Sequence, residues 1–152
     1  MEHNKKRQLA DRHILKLKKD LRQKGFKLEL TEEKIQELEI FYSKLLVEQK
    51  ISFSYFEEYF FNILIFLGEI HIQKHGGEWK FKVDEKGEVF PIAIKCLNGN
   101  LATDYEPVLR NLLIFDIKVT ASVELWPSYS TIERNCQSPI DPQSLPPYFF
   151  QD

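Results

Sequence analysis

His71 and His75 stand four residues apart. On a helix that spacing puts both imidazoles on one face, where they can grip a metal ion together. The metalloprotease form of the motif needs a glutamate directly after the first histidine, and Ile72 is there instead. Glu78 is the nearest candidate for a third ligand, and Trp79 follows it. Glu69 is a carboxylate in an otherwise apolar run. Such a group either reaches solvent, finds a partner, or serves as a general acid or base. No second carboxylate, nucleophile or set of oxyanion donors accompanies it. The reading is therefore a polar helix end with capping histidines, and a Glu69 that ties its helix to a neighbour. Glu69, His71, His75, Glu78 and Trp79 are the candidate binding residues. No catalytic residue, metal or cofactor is expected. An enzyme or metal protein using Glu69, His71 and His75 is the alternative.

The two cysteines, Cys96 and Cys136, lie far apart and match no metal-ligand spacing. The expectation is a reducing cytoplasm with free thiols, Cys96 being a small core residue on a strand face. Neither a dinucleotide fingerprint nor a P-loop occurs, and Asn98-Gly99-Asn100 is too short to cradle a phosphate. The opening MEHNKKRQLADRH has no apolar run after its basic start, so no signal peptide is expected.

Those residues hang on the stretch from Phe53 to Trp79. It reads as one long central helix, apolar on almost every side, then a Gly76-Gly77 stop and the start of a strand. Ser52 or Ser54 is its N-cap. Gly76 in the left-handed conformation closes its last turn, and Gly68 lets another element approach closely. Its uncharged core, Tyr59 to Leu67, is far shorter than the ~20 residues that cross a bilayer. Upstream, residues 4–24 form a helix with the stripe Leu9, His13, Leu17 and Leu21, ended by Gly25. Thr31 caps a second helix with Ile35, Leu38, Phe41, Leu45 and Leu46 inward, packed beside the central one. Downstream the period changes to two. Trp79, Phe81 and Val83 share one strand face, Asp84–Gly87 is a turn, and Phe90, Ile92, Ile94 and Cys96 share a face of the returning strand. Pro91 lacks a backbone donor and marks an edge or a break. Thr103–Glu106 has the capping-box pattern for a further helix from about residue 104. Residues 115–125 fit either a strand or a continued helix, with a lean to helix. Residues 127–152 hold five prolines and are expected to be an irregular tail, pinned by Tyr148, Phe149 and Phe150.

The fold class expected is thus α+β: N-terminal helices packed on a small antiparallel hairpin sheet, then a further helix and a Pro-rich tail. Residues 1–126 are read as one domain and 127–152 as the tail. A formal charge of −2 hides an asymmetry. Residues 1–27 hold ten Lys or Arg against three acids, and the other 125 residues hold eleven against twenty. A basic arm on an acidic body can meet nucleic acid, a membrane surface, an acidic partner, or the body itself. The arm has no aromatic residue before Phe26, so it offers bases nothing to stack on, and docking on the body is the preferred reading.

Leu67-Gly68-Glu69 and Gly76-Gly77-Glu78-Trp79, followed by a strand pair, a turn and a helix signal, resemble a set of small bacterial proteins of unknown function. Some members of such sets are proposed to be immunity proteins of toxin systems. The resemblance covers roughly Tyr55 to Leu113 and implies an intracellular, non-enzymatic α+β domain. The functional expectation is a cytoplasmic protein-binding domain, an immunity protein with a basic toxin as partner. Nucleic-acid binding through the first helix is a further alternative.

Overall fold

The computed structural model describes residues 3–102 and 123–137. Its elements in chain order are α1 (His3–Gln23), α2 (Glu32–Val47), α3 (Phe53–Glu58), α4 (Phe60–His75), β1 (Glu78–Val83), β2 (Val89–Lys95), β3 (Leu101–Ala102) and α5 (Trp126–Gln137). The class is α+β, with helices packed on a three-stranded antiparallel sheet ordered β1-β2-β3. No helix among the described residues is long and apolar enough to cross a membrane.

The N-terminal helix docks along α4, but on a seam rotated from the expected stripe. Lys6, Ala10, Ile14, Leu17 and Leu21 are buried, while Leu9 and His13 lie at the rim. Small Ala10 lets the backbones approach, which a count of large apolar residues does not register. Thr31 caps α2, its hydroxyl accepting from the Lys34 amide at 3.3 Å. Tyr42, absent from the expected inward set, is fully buried and meets Tyr55 and Phe56 edge-on. Its hydroxyl lies 3.0 Å from that of Tyr55, which donates to Asp20 of α1. Burial raises the pKa of both phenols, keeping them as neutral bridges between three helices.

The central helix is not one piece. Tyr59 leaves helical geometry at φ −97° and ψ 13°, separating α3 from α4. Tyr55 stacks on Tyr59 at 4.6 Å between ring centroids, so the break lies within an aromatic cluster. Ser52 occupies the N-cap position of α3 without a side-chain bond to a helix amide; its carbonyl accepts from the Tyr55 amide and its hydroxyl pairs with that of Ser54. From Phe60 to His71 all but Phe61 are buried, as an all-round apolar helix requires. Gly76 ends α4 at φ 79° and ψ −172°, a glycine-only region rather than the left-handed helical one expected. A Cβ on Gly77 would lie 2.8 Å from the Lys95 carbonyl, so this junction needs both glycines.

The hairpin has a bulge. Lys80 pairs with Ala93 but Phe81 pairs with Pro91, leaving Ile92 as the extra residue. β3 pairs only with Ile94 and Lys95, so Pro91 is asked for no amide there. The bulge also upsets simple alternation: Pro91 to Ile94 of β2 are all buried, and Val83 at the end of β1 is exposed.

Two expectations about the C-terminal part are corrected. Residues 126–137 are a helix, not irregular tail. Pro127 sits in its first turn, where the missing amide has no intrahelical partner to lose. Ser128, Tyr129, Ile132 and Cys136 form its buried stripe. Residues 123–125 are not helical, against the lean toward continued helix. The Leu125 amide donates to the Glu39 carboxylate and the Val123 amide to the Ser43 hydroxyl, each at 3.0 Å, so α2 anchors the chain as it enters α5. The expected helix from about 104, residues 115–122, and Tyr148, Phe149 and Phe150 lie outside the described residues.

Candidate functional site

The candidate residues separate onto two sides of α4. Glu69 and His71 are two residues apart, about 200° around a helix, and they face different company.

Glu69 is 2% exposed. One carboxylate oxygen accepts from the Trp79 indole at 2.8 Å and the other meets the Arg7 guanidinium at 2.6 Å. The carboxylate thus joins α1, α4 and β1. Gly68 makes room for this clamp: a Cβ there would come within 2.3 Å of the Trp79 ring. Glu78 points elsewhere, its carboxylate lying 3.8 Å from both Lys6 and His3. Part of the charge on the basic helix is therefore answered by the body. Glu69, Glu78 and Trp79 do not converge with the histidines, and the arrangement is that of a buried carboxylate satisfied by an indole and a partly exposed guanidinium.

The other side holds the reactive groups. Cys96, just after β2, forms a disulfide with Cys136 in the last turn of α5, with 5.6 Å between their Cα atoms. This overturns the free-thiol expectation. The two residues are 40 apart in sequence, and only the return of α5 to the sheet brings them together. The turn at Asn98-Gly99-Asn100 assists, because the side-chain amides of Asn98 and Asn100 donate to the Cys136 carbonyl at 2.7 and 3.1 Å. They satisfy a carbonyl that the end of α5 would otherwise leave open.

His71 sits against the sulfurs. One ring nitrogen of His71 and both sulfurs lie within 4.8 Å of one another. The imidazole is 2% exposed, and neither ring nitrogen has a hydrogen-bond partner among the described residues. A buried polar group left unsatisfied costs about 1–3 kcal/mol, so it calls for an explanation. Burial, aided by His75, lowers the His71 pKa from its ordinary value and favours the neutral ring. The His75 ring centroid is 4.9 Å from that of His71, and His75 Nε2 lies 3.6 Å from the Glu133 carboxylate. A small opening of about 180 Å³ is bounded by these groups.

No family model, curated protein or solved structure matches this chain.

The site is thus a disulfide beside a buried imidazole that has no hydrogen-bond partner among the described residues, with a second imidazole and a carboxylate at the rim. Sequence reasoning found both histidines but missed Cys96, Cys136 and Glu133. The available signal was the run Tyr129, Ile132, Cys136 at helical spacing with no proline between 127 and 139. A larger groove of about 690 Å³ runs between α1, α4 and the hairpin, lined by Arg12, His13, Lys16, Asn62 and Phe90 among others. There Asn62 donates to the His13 carbonyl and to its Nδ1, each at 3.2 Å, which needs the ring nitrogen unprotonated.

Proposed function

We propose that this chain is a non-enzymatic domain that binds a basic protein partner through the outer face of α2. The observation that carries the reading is the composition of that face. Glu33, Gln36, Glu37, Ile40, Lys44, Val47 and Glu48 are exposed and fall within about a third of the helix circumference. Ile40 and Val47 are 72% and 73% exposed, the most exposed large apolar side chains on that helix. Apolar anchors with an acidic rim suit a partner whose contact surface is basic: the apolar groups supply affinity, and the charges supply rate and orientation. The acidic balance outside the first helix supports the same sign of partner. Within this class, a cytoplasmic immunity protein that neutralises a basic toxin is the role suggested by the resemblance of the Gly68-Glu69 and Gly76–Trp79 region.

The test is co-purification at low salt, followed by substitution. Glu33→Lys with Glu37→Lys should weaken capture of the partner, and Ile40→Asp should abolish it, while circular dichroism stays unchanged. Capture of the same partner by all variants, or failure of the wild-type chain to hold any basic protein at low salt, would refute the reading.

A further inference from the structure

We propose that, once the disulfide is reduced, Cys96, Cys136 and His71 form a binding site for a thiolate-loving divalent cation, zinc above all. This goes beyond the partner-binding reading and does not depend on it.

Three observations meet at one place. Two sulfurs and one imidazole nitrogen already lie within 4.8 Å of one another, brought there by three elements: α4, the end of β2 and α5. The imidazole is buried and its nitrogens have no other partner among the described residues. A pocket opens beside the cluster, with His75 and Glu133 on its wall. Two thiolates and an imidazole are a soft, mixed sulfur–nitrogen donor set, which selects zinc over magnesium or calcium. In a tetrahedral site with metal–sulfur bonds of about 2.3 Å, the sulfurs stand about 3.8 Å apart. Opening the disulfide therefore requires only a local side-chain movement. The fourth position faces the pocket, where water, His75 or Glu133 can fill it. Such a site explains why a helix in the core presents to two cysteines a histidine whose ring nitrogens have no hydrogen-bond partner among the described residues.

The chemistry balances with a named reductant. A dithiol reductant gives two electrons and two protons to the Cys96–Cys136 bond and becomes a disulfide itself, leaving two thiols. The cation then binds as both thiols lose their protons to water, so each ion taken up releases two protons. The disulfide and the metal are mutually exclusive occupants of one cluster. In an oxidising compartment the covalent bond holds β2 to α5, and in a reducing one the cation takes over that link.

The experiment uses the full chain, reduced anaerobically and titrated with cobalt(II) as a spectroscopic stand-in for zinc. The expected result is one ion per chain, thiolate-to-cobalt charge-transfer absorption, the strong visible bands of a tetrahedral centre, and bleaching when zinc is added. The oxidised wild-type chain should show none of this and serves as a control that needs no mutation. His71→Phe keeps an apolar ring in place without a donor and should lose the tetrahedral spectrum. Cys136→Ser should lose it independently. Absence of cobalt binding by the reduced chain, equal binding by the oxidised chain, or an unchanged spectrum in both variants would overturn the proposal.

Discussion

Replacing Gly68 with alanine tests the packing of the central helix in one step. The added Cβ would lie 2.3 Å from two atoms of the Trp79 ring and 2.9 Å from the Ile94 side chain. Comfortable carbon–carbon contact is about 3.5–4.0 Å, so the indole has to withdraw by more than about 1 Å. It has little freedom to do so. The ring is 3% exposed, and its nitrogen is held 2.8 Å from a carboxylate that Arg7 also holds. Overpacking of this kind costs about 1–3 kcal/mol. Weakening a buried hydrogen bond to a charged group adds about 1.5–3 kcal/mol if the indole is pushed off Glu69. Better helix propensity returns about 1 kcal/mol. The balance is a loss of about 3 kcal/mol. With a urea dependence of about 2 kcal/mol per molar, the unfolding midpoint should fall by about 1.5 M. Equilibrium unfolding followed by tryptophan fluorescence, with both proteins in the same redox state, measures this. Combining Gly68→Ala with Trp79→Phe should recover part of the loss, since the smaller ring frees space. A Gly68→Ala protein as stable as wild type, or more so, would refute the close-approach argument.

Three further outcomes follow from the same physical reasoning. Arg7→Ala leaves Glu69 buried without its counter-charge and should cost about 2 kcal/mol, below the usual range for a broken buried pair because the guanidinium is 39% exposed to screening water; a denaturant midpoint unchanged from wild type would contradict it. Glu39→Ala strips the acceptor from the Leu125 amide where the chain enters α5 and should cost about 1–2 kcal/mol, and hydrogen exchange of α5 amides should accelerate while that of α1 does not. His13 has its pKa lowered, first by burial and then by Lys16, from the ordinary 6.5. The unfolded chain therefore takes up this proton first, and stability should fall as pH drops below about 6.5. His13→Gln should flatten that decline in part, because His71 is shifted in the same direction.

What could be read from the sequence was local. Thr31 as a cap, the Asp84–Gly87 turn, the glycine stop at the end of α4 and the close approach at Gly68 each follow from a few adjacent residues and the backbone geometry they permit. The rotated seam of α1 was hidden because small Ala10 and the stem of Lys6 do inward work that a stripe of leucines does not reveal. Five prolines across 127–152 hide the helix at its start, because Pro127 fits a first helical turn and so does not mark irregular chain. The site was the least legible part. Glu39 meets Leu125 across 86 positions and Cys96 meets Cys136 across 40, and no periodicity carries information over such distances. His71 and His75 were visible as a pair, but not the sulfurs that give the first of them its surroundings.

Helix α4 has two sides, a clamped Glu69 on one and a buried His71 beside the sulfur pair on the other. Side-chain nitrogen resonances of 15N-labelled histidine, recorded on the reduced chain before and after one equivalent of zinc, test this most directly. One nitrogen of His71 should move to a metal-bound position while His13 stays where it was. His71 resonances unaltered by zinc would contradict it.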